Sequence, residues 1–439
     1  NLTYADLTEA AIREAKRRVI DSIAIAFAGY DEQPSRIARE IGLRCTSRPG
    51  ATILGSTHRT TPDYAAFANG TMIHSQDFMD TYLSRESLHP SDTIAAVLAT
   101  AEYSGRTGAD VILGTVLTYE VMCRLADIAN VRERGWDHVV FGAIASALGA
   151  AKMLNQTAEQ MRETLALAVV ANTALRQTRV GEVPMWKALA PSNASRNGVL
   201  AAMLAQAGVT GPVEAFVGAK GFERQVSGPL HFEGFGSKSS GYRINQTYIK
   251  VWPVQYNTQA GIEAALALRD RVDPRSIDAI VIDISDTGRI LSADTAAKWD
   301  PQTRETADHS LPYIVVSALV DGQVSRGTFD SDQYRNPEKL ALVQRVDVRA
   351  DPQFTKTYPE DLSVRVCVRL QDGSEHIHRI DHPKGHVRNR LSDDEVSQKY
   401  QGLVGDRFPR ARADANLARL WDLDGIEDLG ELLGGFALD

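Results

Sequence analysis

Over its first 245 residues the chain spaces its apolar side chains three and four apart, and near residue 248 that spacing gives way to alternation. The two periods demand different backbones, because a helix repeats a face every 3.6 residues and a strand every two. In the first stretch Leu7, Ala11, Ala15, Val19, Ile23 and Phe27 make one stripe, with Asp6 expected to cap the helix and Gly29 to stop it. Further helices are expected over 92–104, 109–127, 138–154, 157–175 and 193–207. Their Ala-Ala pairs and internal glycines let helices approach closely, which predicts a thick helical core. Beyond residue 248, strands are expected over 279–284, 363–368 and 375–380, the last two joined through Asp372-Gly373, a hairpin signal. Helices at about 258–270 and 310–321 intervene. The expected organisation is a large all-α helical domain over 1–247 and a smaller α+β domain over 248–391. Helical residues 392–439, opening on the capping pattern Ser392-Asp393-Asp394-Glu395, are expected to return to the first domain. The cleft between two such domains is the default place for a site.

Composition removes several functions. A net charge of −8 leaves no surplus of Lys and Arg for nucleic acid. The three cysteines, Cys45, Cys123 and Cys367, lie far apart without zinc or iron–sulfur spacing. So sparse and odd a count fits a reducing compartment. No apolar run reaches the roughly 18–20 residues a bilayer requires, and no signal-peptide pattern follows Asn1. The expected location is cytoplasmic. No GxGxxG, P-loop, GxSxG or HExxH motif occurs, so nucleotide, serine-hydrolase and zinc-protease chemistry has no support.

The densest chemistry lies between Asn69 and Asp92. If the segment before Tyr82 is helical, Asp77 and Thr81 share a face, with His74 and Asp80 one turn away. Pro90 forces an extended approach, so Ser91 can cap a helix starting at Asp92 and His89 would sit ahead of an anion-favouring N-terminus. An imidazole at His89 can exchange a proton near neutral pH, a carboxylate at Asp77 can orient it or act as base, and Thr81 can hold a substrate carboxylate. The bland alternative makes Asp77 and Asp80 a solvated helix face and His89 a loop residue.

Other polar groups stand at similar points. Asp137 can cap the helix that follows His138. Lys187 is a cation in an apolar stretch, reaching either solvent or an anion, and Arg176 and Arg179 can bind carboxylates bidentately. Lys250 through Asn257 lead into one helix, and Thr306 through Tyr313 into another, each placing polar groups at an N-terminus; surface capping explains either equally well. His376 and His378 share a strand face but lack a third metal ligand.

Taken together, six blocks resemble the MmgE/PrpD family, which includes 2-methylcitrate dehydratase, cis-aconitate decarboxylase and iminodisuccinate epimerase. They are NGTMIHSQDFMDT, LHPSD, GWDHVVFGAIASALGAAKML, ALRQTR followed by WK, KVWPVQYNTQ, and RETADHSLPY, in order from about residue 69 to 313. The resemblance implies a helical domain with a smaller lid domain, usually a homodimer, and no cofactor, metal or cluster. It places active-site positions on Asp77, Thr81, His89, His138, Lys187 and Tyr313. Lys250, Arg176 and Asn257 are further candidates for substrate carboxylates. The Asp-His-Val-Val form and the eight-residue step from Thr81 to His89 are similar to the 2-methylcitrate dehydratase branch. Two positions depart from the family: Met79 stands where an acid is usual in DFDDT, and Asn257 where a His is common. The implied activity is dehydration of 2-methylcitrate or a close hydroxy-tricarboxylate. Decarboxylation of cis-aconitate, epimerisation of an amino-diacid and a silent carboxylate-binding homologue are the alternatives.

Overall fold

The computed structural model describes residues 2–180, 184–234 and 241–438. The chain divides into two compact units, one of Asn1–Thr247 with Ser392–Asp439, the other of Tyr248–Leu391.

Unit 1 is built on helices α1 (Glu9–Ala28), α2 (Gln33–Gly42), α3 (Pro62–His74), α4 (Ile94–Tyr103), α5 (Gly108–Ile128), α6 (Val139–Met153), α7 (Ala158–Val170) and α8 (Trp186–Gln206). Three more, Asp393–Val404, Arg410–Trp421 and Leu429–Gly434, close it. It is not purely helical: β1 (Ala51–Thr52) pairs antiparallel with β2 (Arg59–Thr60). The small residues do what their size suggests. At Gly198 of α8 an added Cβ would lie 2.6 Å from the Ala143 carbonyl of α6, so the two helices meet backbone to backbone. Thr8, not Asp6, caps α1 by accepting from the Ala11 N–H, and Asp6 belongs to a short turn before it. Helix α7 stops at Val170, five residues short of expectation, and α8 begins seven residues early at Trp186.

The last helices belong to unit 1 through specific contacts. Lys399 pairs with Asp21 of α1 at 2.7 Å, with both side chains under 10% exposed. The Gly108 N–H donates to the Ile426 carbonyl at 2.7 Å, and a Cβ on Gly108 would fall 1.7 Å from the Leu423 carbonyl oxygen.

Unit 2 is a mixed sheet of order β4-β3-β5-β6. Strand β3 (Ile277–Ile284) runs parallel to β4 (Val346–Ala350) and antiparallel to β5 (Val364–Leu370), which forms a hairpin with β6 (Glu375–Ile380). Gly373, at φ +86, turns that hairpin. Ile280, Ile282 and Ile284 point to one buried face, against helix α9 (Gln259–Leu268) and the helix Leu311–Asp321. Their β-branched side chains suit a pleated buried surface. No helix among the described residues is long and apolar enough to cross a membrane.

Candidate functional site

Helix α3 ends at His74, and the chain from Ser75 to Thr81 is irregular. The expected helical face joining Asp77 and Thr81 is therefore absent. Asp77 instead takes φ +49, a left-handed backbone unusual for a residue with a Cβ. That turn lets its carboxylate meet Lys187 Nζ of α8 at 3.5 Å.

His89 stands just before a single turn, Pro90–Thr93, that runs into α4. Ser91 does not cap it: no side-chain cap hydrogen bond forms at this turn, whose N-cap is His89. Asp80 takes over, accepting the Ser91 N–H at Oδ1 (3.0 Å) and the Tyr119 hydroxyl at Oδ2 (2.7 Å). The helix start near His89 thus already holds a carboxylate. Asp80 is 1% exposed, and burial raises its pKa against the opposing influence of Arg18, whose Nε lies 3.6 Å away. Burial and Asp80 together hold the Tyr119 phenol well above its ordinary value, so it stays a donor.

His89 Nδ1 lies 2.7 Å from the backbone carbonyl of Asp80 and 3.5 Å from Thr81 Oγ1. A carbonyl only accepts, so Nδ1 carries the hydrogen and the lone pair of the neutral ring lies on Nε2. This bond defines the tautomer a general base requires.

Two more imidazoles flank it. The ring centroids of His89 and His138 are 6.0 Å apart, and those of His89 and His74 5.7 Å, each pair edge to face. His138 immediately precedes α6, with Nδ1 3.1 Å from Asp137 Oδ1. Asp137 also accepts from Arg179 Nε at 2.7 Å and from the Val139 N–H at 3.3 Å; the N-cap position itself is His138, so Asp137 is an ion-pair partner that touches the first turn and not the expected cap. Burial, then Arg179 and His89, push the His138 pKa well below the ordinary value and keep its ring neutral. Its Nε2 is buried with no partner among the described residues. Arg176 is half-buried in the turn Arg176–Arg179; burial and the neighbouring Arg132 lower its pKa, so positive charge is concentrated there. Asp137 also lines a small cleft shared with Asn172, Thr178, Trp186 and Asn193.

Unit 1 therefore holds Asp77 with Lys187, and separately Thr81 with His89 and His138. Asp92, Tyr119 and Arg18, which complete its buried polar framework, were not singled out from sequence. Nothing in their local spacing marks them.

In unit 2, Lys250 is fully buried and Asn257 nearly so, at the approach to α9. Gln259 fixes that approach, accepting the Val251 and Trp252 N–H groups at 3.2 Å each and donating to the Trp252 carbonyl at 2.8 Å. Asn257 Oδ1 is buried without a partner among the described residues. Tyr313 has a different setting from the one expected. It is fully buried in the unit 2 core against Phe329, and its hydroxyl donates to the Thr328 carbonyl at 2.5 Å.

Comparison with known proteins adds an independent line. Residues 1–234 match the MmgE/PrpD N-terminal domain and residues 252–423 the MmgE/PrpD C-terminal domain. The chain is similar to cis-aconitate decarboxylase of Homo sapiens, 28% identical over 98% of this chain and 91% of that protein. It is similar to 2-methylcitrate dehydratase of Salmonella typhimurium, 26% identical over 82% of this chain and 79% of that protein. The corresponding figures for 2-methylcitrate dehydratase of Escherichia coli O157:H7 are 27%, 82% and 79%. With both family domains matched in order along its length, this chain belongs to the MmgE/PrpD family.

Proposed function

We propose that this chain is a lyase that dehydrates 2-methylcitrate, or a close hydroxy-tricarboxylate, to the aconitate-type alkene. The observation that carries the reading is the His89 Nδ1 contact to the Asp80 carbonyl, which leaves Nε2 as the basic atom. In this reading His89 Nε2 takes the proton alpha to a substrate carboxylate. The electron pair of that C–H bond becomes the new alkene bond as the neighbouring C–O bond breaks. The departing hydroxyl takes a proton and leaves as water. Lys187 is the better proton donor to it, since His138 is held neutral by burial and cationic neighbours. His138 then contributes a neutral hydrogen bond. Thr81, Asp77 and Arg176 position the substrate's carboxylates and the groups that hold them. Lys250 and Asn257 are proposed as further substrate contacts, each testable through the KM of its alanine variant.

Incubation with 2-methylcitrate tests the reading, with a rise in ultraviolet absorbance from the conjugated alkene expected. No rise with this or related hydroxy-tricarboxylates removes the dehydratase assignment. A second reading, decarboxylation of cis-aconitate, is favoured by coverage: the two mammalian cis-aconitate decarboxylases match 97% and 98% of the chain, against 82% for the Salmonella typhimurium dehydratase. Carbon dioxide release from cis-aconitate would select it. The proposed setting is cytoplasmic, without a membrane or nucleic-acid partner.

A homodimer is also proposed. Among the described residues, eleven of the fifteen exposed large apolar side chains fall between Val170 and Phe232, including Trp186, Leu200 and Leu204 of α8. This stretch is where the proposed association surface is sought. Light scattering should return twice 48.0 kDa, and Leu204→Glu should lower it.

A further inference from the structure

We infer that His74 and Asp92 form a buried imidazole–carboxylate pair that stabilises the protonated form of His89, making them positioning residues for its proton transfer. The inference rests on the reading of His89 as the base.

The geometry is specific. His74 Nδ1 donates to Asp92 Oδ1 at 2.7 Å, and each side chain is 2% exposed. The His74 ring meets His89 at 73°, with centroids 5.7 Å apart. Asp92 is anchored from both sides, its N–H donating to the His89 carbonyl at 3.1 Å and its own carbonyl accepting from Ser195 Oγ of α8 at 2.8 Å. The carboxylate is therefore fixed relative to His89 by the same turn that presents His89. Its second oxygen, Oδ2, is buried with no partner among the described residues. Stability alone disfavours an unsatisfied buried carboxylate oxygen, and such groups concentrate where charge has a task.

The charge of the pair is adjustable near neutral pH. Burial pushes the Asp92 carboxyl up to about 7, with His89 the foremost opposing influence. When Asp92 is ionised, its carboxylate, held on the His74 ring that faces His89, favours an imidazolium at His89. When Asp92 is protonated that support is gone. Arg179, Asp137 and Asp77 also face Asp92; Asp77 is paired with Lys187. His138 faces His89 and is itself opposed by Arg179, Arg132 and Arg176. Asp80 faces Arg18 and Tyr119. No bond of the substrate is touched by the pair: the abstracted proton stays on His89 Nε2.

The alternative is a purely structural tie between the end of α3 and the Pro90–Thr93 turn. Asp92→Asn separates the two, because the amide oxygen still accepts from His74 Nδ1 while the charge is lost. The test is a pH titration of the imidazole ¹⁵N signals in the full chain, with His89 identified by the signals missing in His89→Gln. Asp92→Asn should lower the His89 midpoint by roughly one pH unit, the order expected when one nearby charge is removed in a partly polar interior. The low-pH limb of kcat/KM should move the same way. If Asp92→Asn does not fold, His74→Phe keeps the ring and removes the donor that favours ionised Asp92, with a shift in the same direction expected. An unmoved His89 titration in a folded variant overturns the inference. A shifted titration in a protein that turns over no polycarboxylate supports the pair and defeats the lyase reading instead.

Discussion

Replacing Asp80 by alanine should unfold unit 1 more easily than any surface change, and the size of the effect follows from its partners. The carboxylate accepts the Ser91 N–H and the Tyr119 hydroxyl and lies 3.6 Å from Arg18. Arg18 retains Glu14 at 3.0 Å and the Thr247 hydroxyl and carbonyl at 2.9 Å each, so it would not be left wholly uncompensated. Two bonds to a charged acceptor are worth about 1.5–3 kcal/mol each. The cost of burying the carboxylate, seen in its raised pKa, offsets part of this. A net loss of about 3–5 kcal/mol is expected, in line with breaking a buried charged network. Asp80→Asn keeps the shape and one acceptor, and should cost only about 1–2 kcal/mol. Urea unfolding followed by circular dichroism at pH 7 measures both, with the two units fitted as separate transitions. If Asp80→Ala costs less than about 1 kcal/mol, or the two variants coincide, the carboxylate does not anchor this region and the reasoning fails.

Three further outcomes follow from the same kind of accounting. His386 accepts the Arg388 N–H at Nδ1 and is stacked between His382 and Tyr248, and burial lowers its pKa from 6.5 to about 4. The unfolded chain takes up that proton first, so its contribution is present above pH 6.5 and lost between 6.5 and 4. The loss should reach about 2 kcal/mol after allowance for screening, and His386→Phe should flatten that limb of the unfolding midpoint against pH. Gly108→Ala drives a Cβ into the Leu423 carbonyl; a loss of about 2–3 kcal/mol and faster proteolysis near Leu423 are expected. Tyr313→Phe removes the donation to the Thr328 carbonyl and should cost about 1 kcal/mol in thermal unfolding; a rise in KM beyond that would restore a substrate role to its hydroxyl.

What could be read without coordinates depended on how local the physics is. Strand β3 was legible because Ile280, Ile282 and Ile284 alternate on a buried face. Strand β4, of sequence VDVRA, was not expected although Val346, Val348 and Ala350 alternate with charges; it is only five residues long, and Val346 alone in it is buried. His89 and His138 could be singled out because each stands just ahead of a helix, and Lys187 because it is a cation in an apolar stretch; the family resemblance drew them together. The turn at Asp77 could not, since a left-handed aspartate carries no marker in its neighbours. Nor could Asp80's role be seen: its three partners, Arg18, Ser91 and Tyr119, lie 62, 11 and 39 positions away, and only the completed fold makes them one group.

The union of Asn1–Thr247 with Ser392–Asp439 in one compact unit has a consequence for how the molecule is made. Helix α1 is synthesised long before the helix Asp393–Val404, which supplies Lys399 to Asp21 and begins 365 positions after its end. At ordinary translation speed that delay is on the order of tens of seconds. Throughout it, α1 must wait beside the ribosome with one flank uncovered. Asp21 and Arg17 lie on that flank, where Arg17 later meets Asp393 at 2.7 Å. Charges there keep the waiting surface wet, and the ion pairs that later fasten the unit serve first as its protection against sticking to a neighbour.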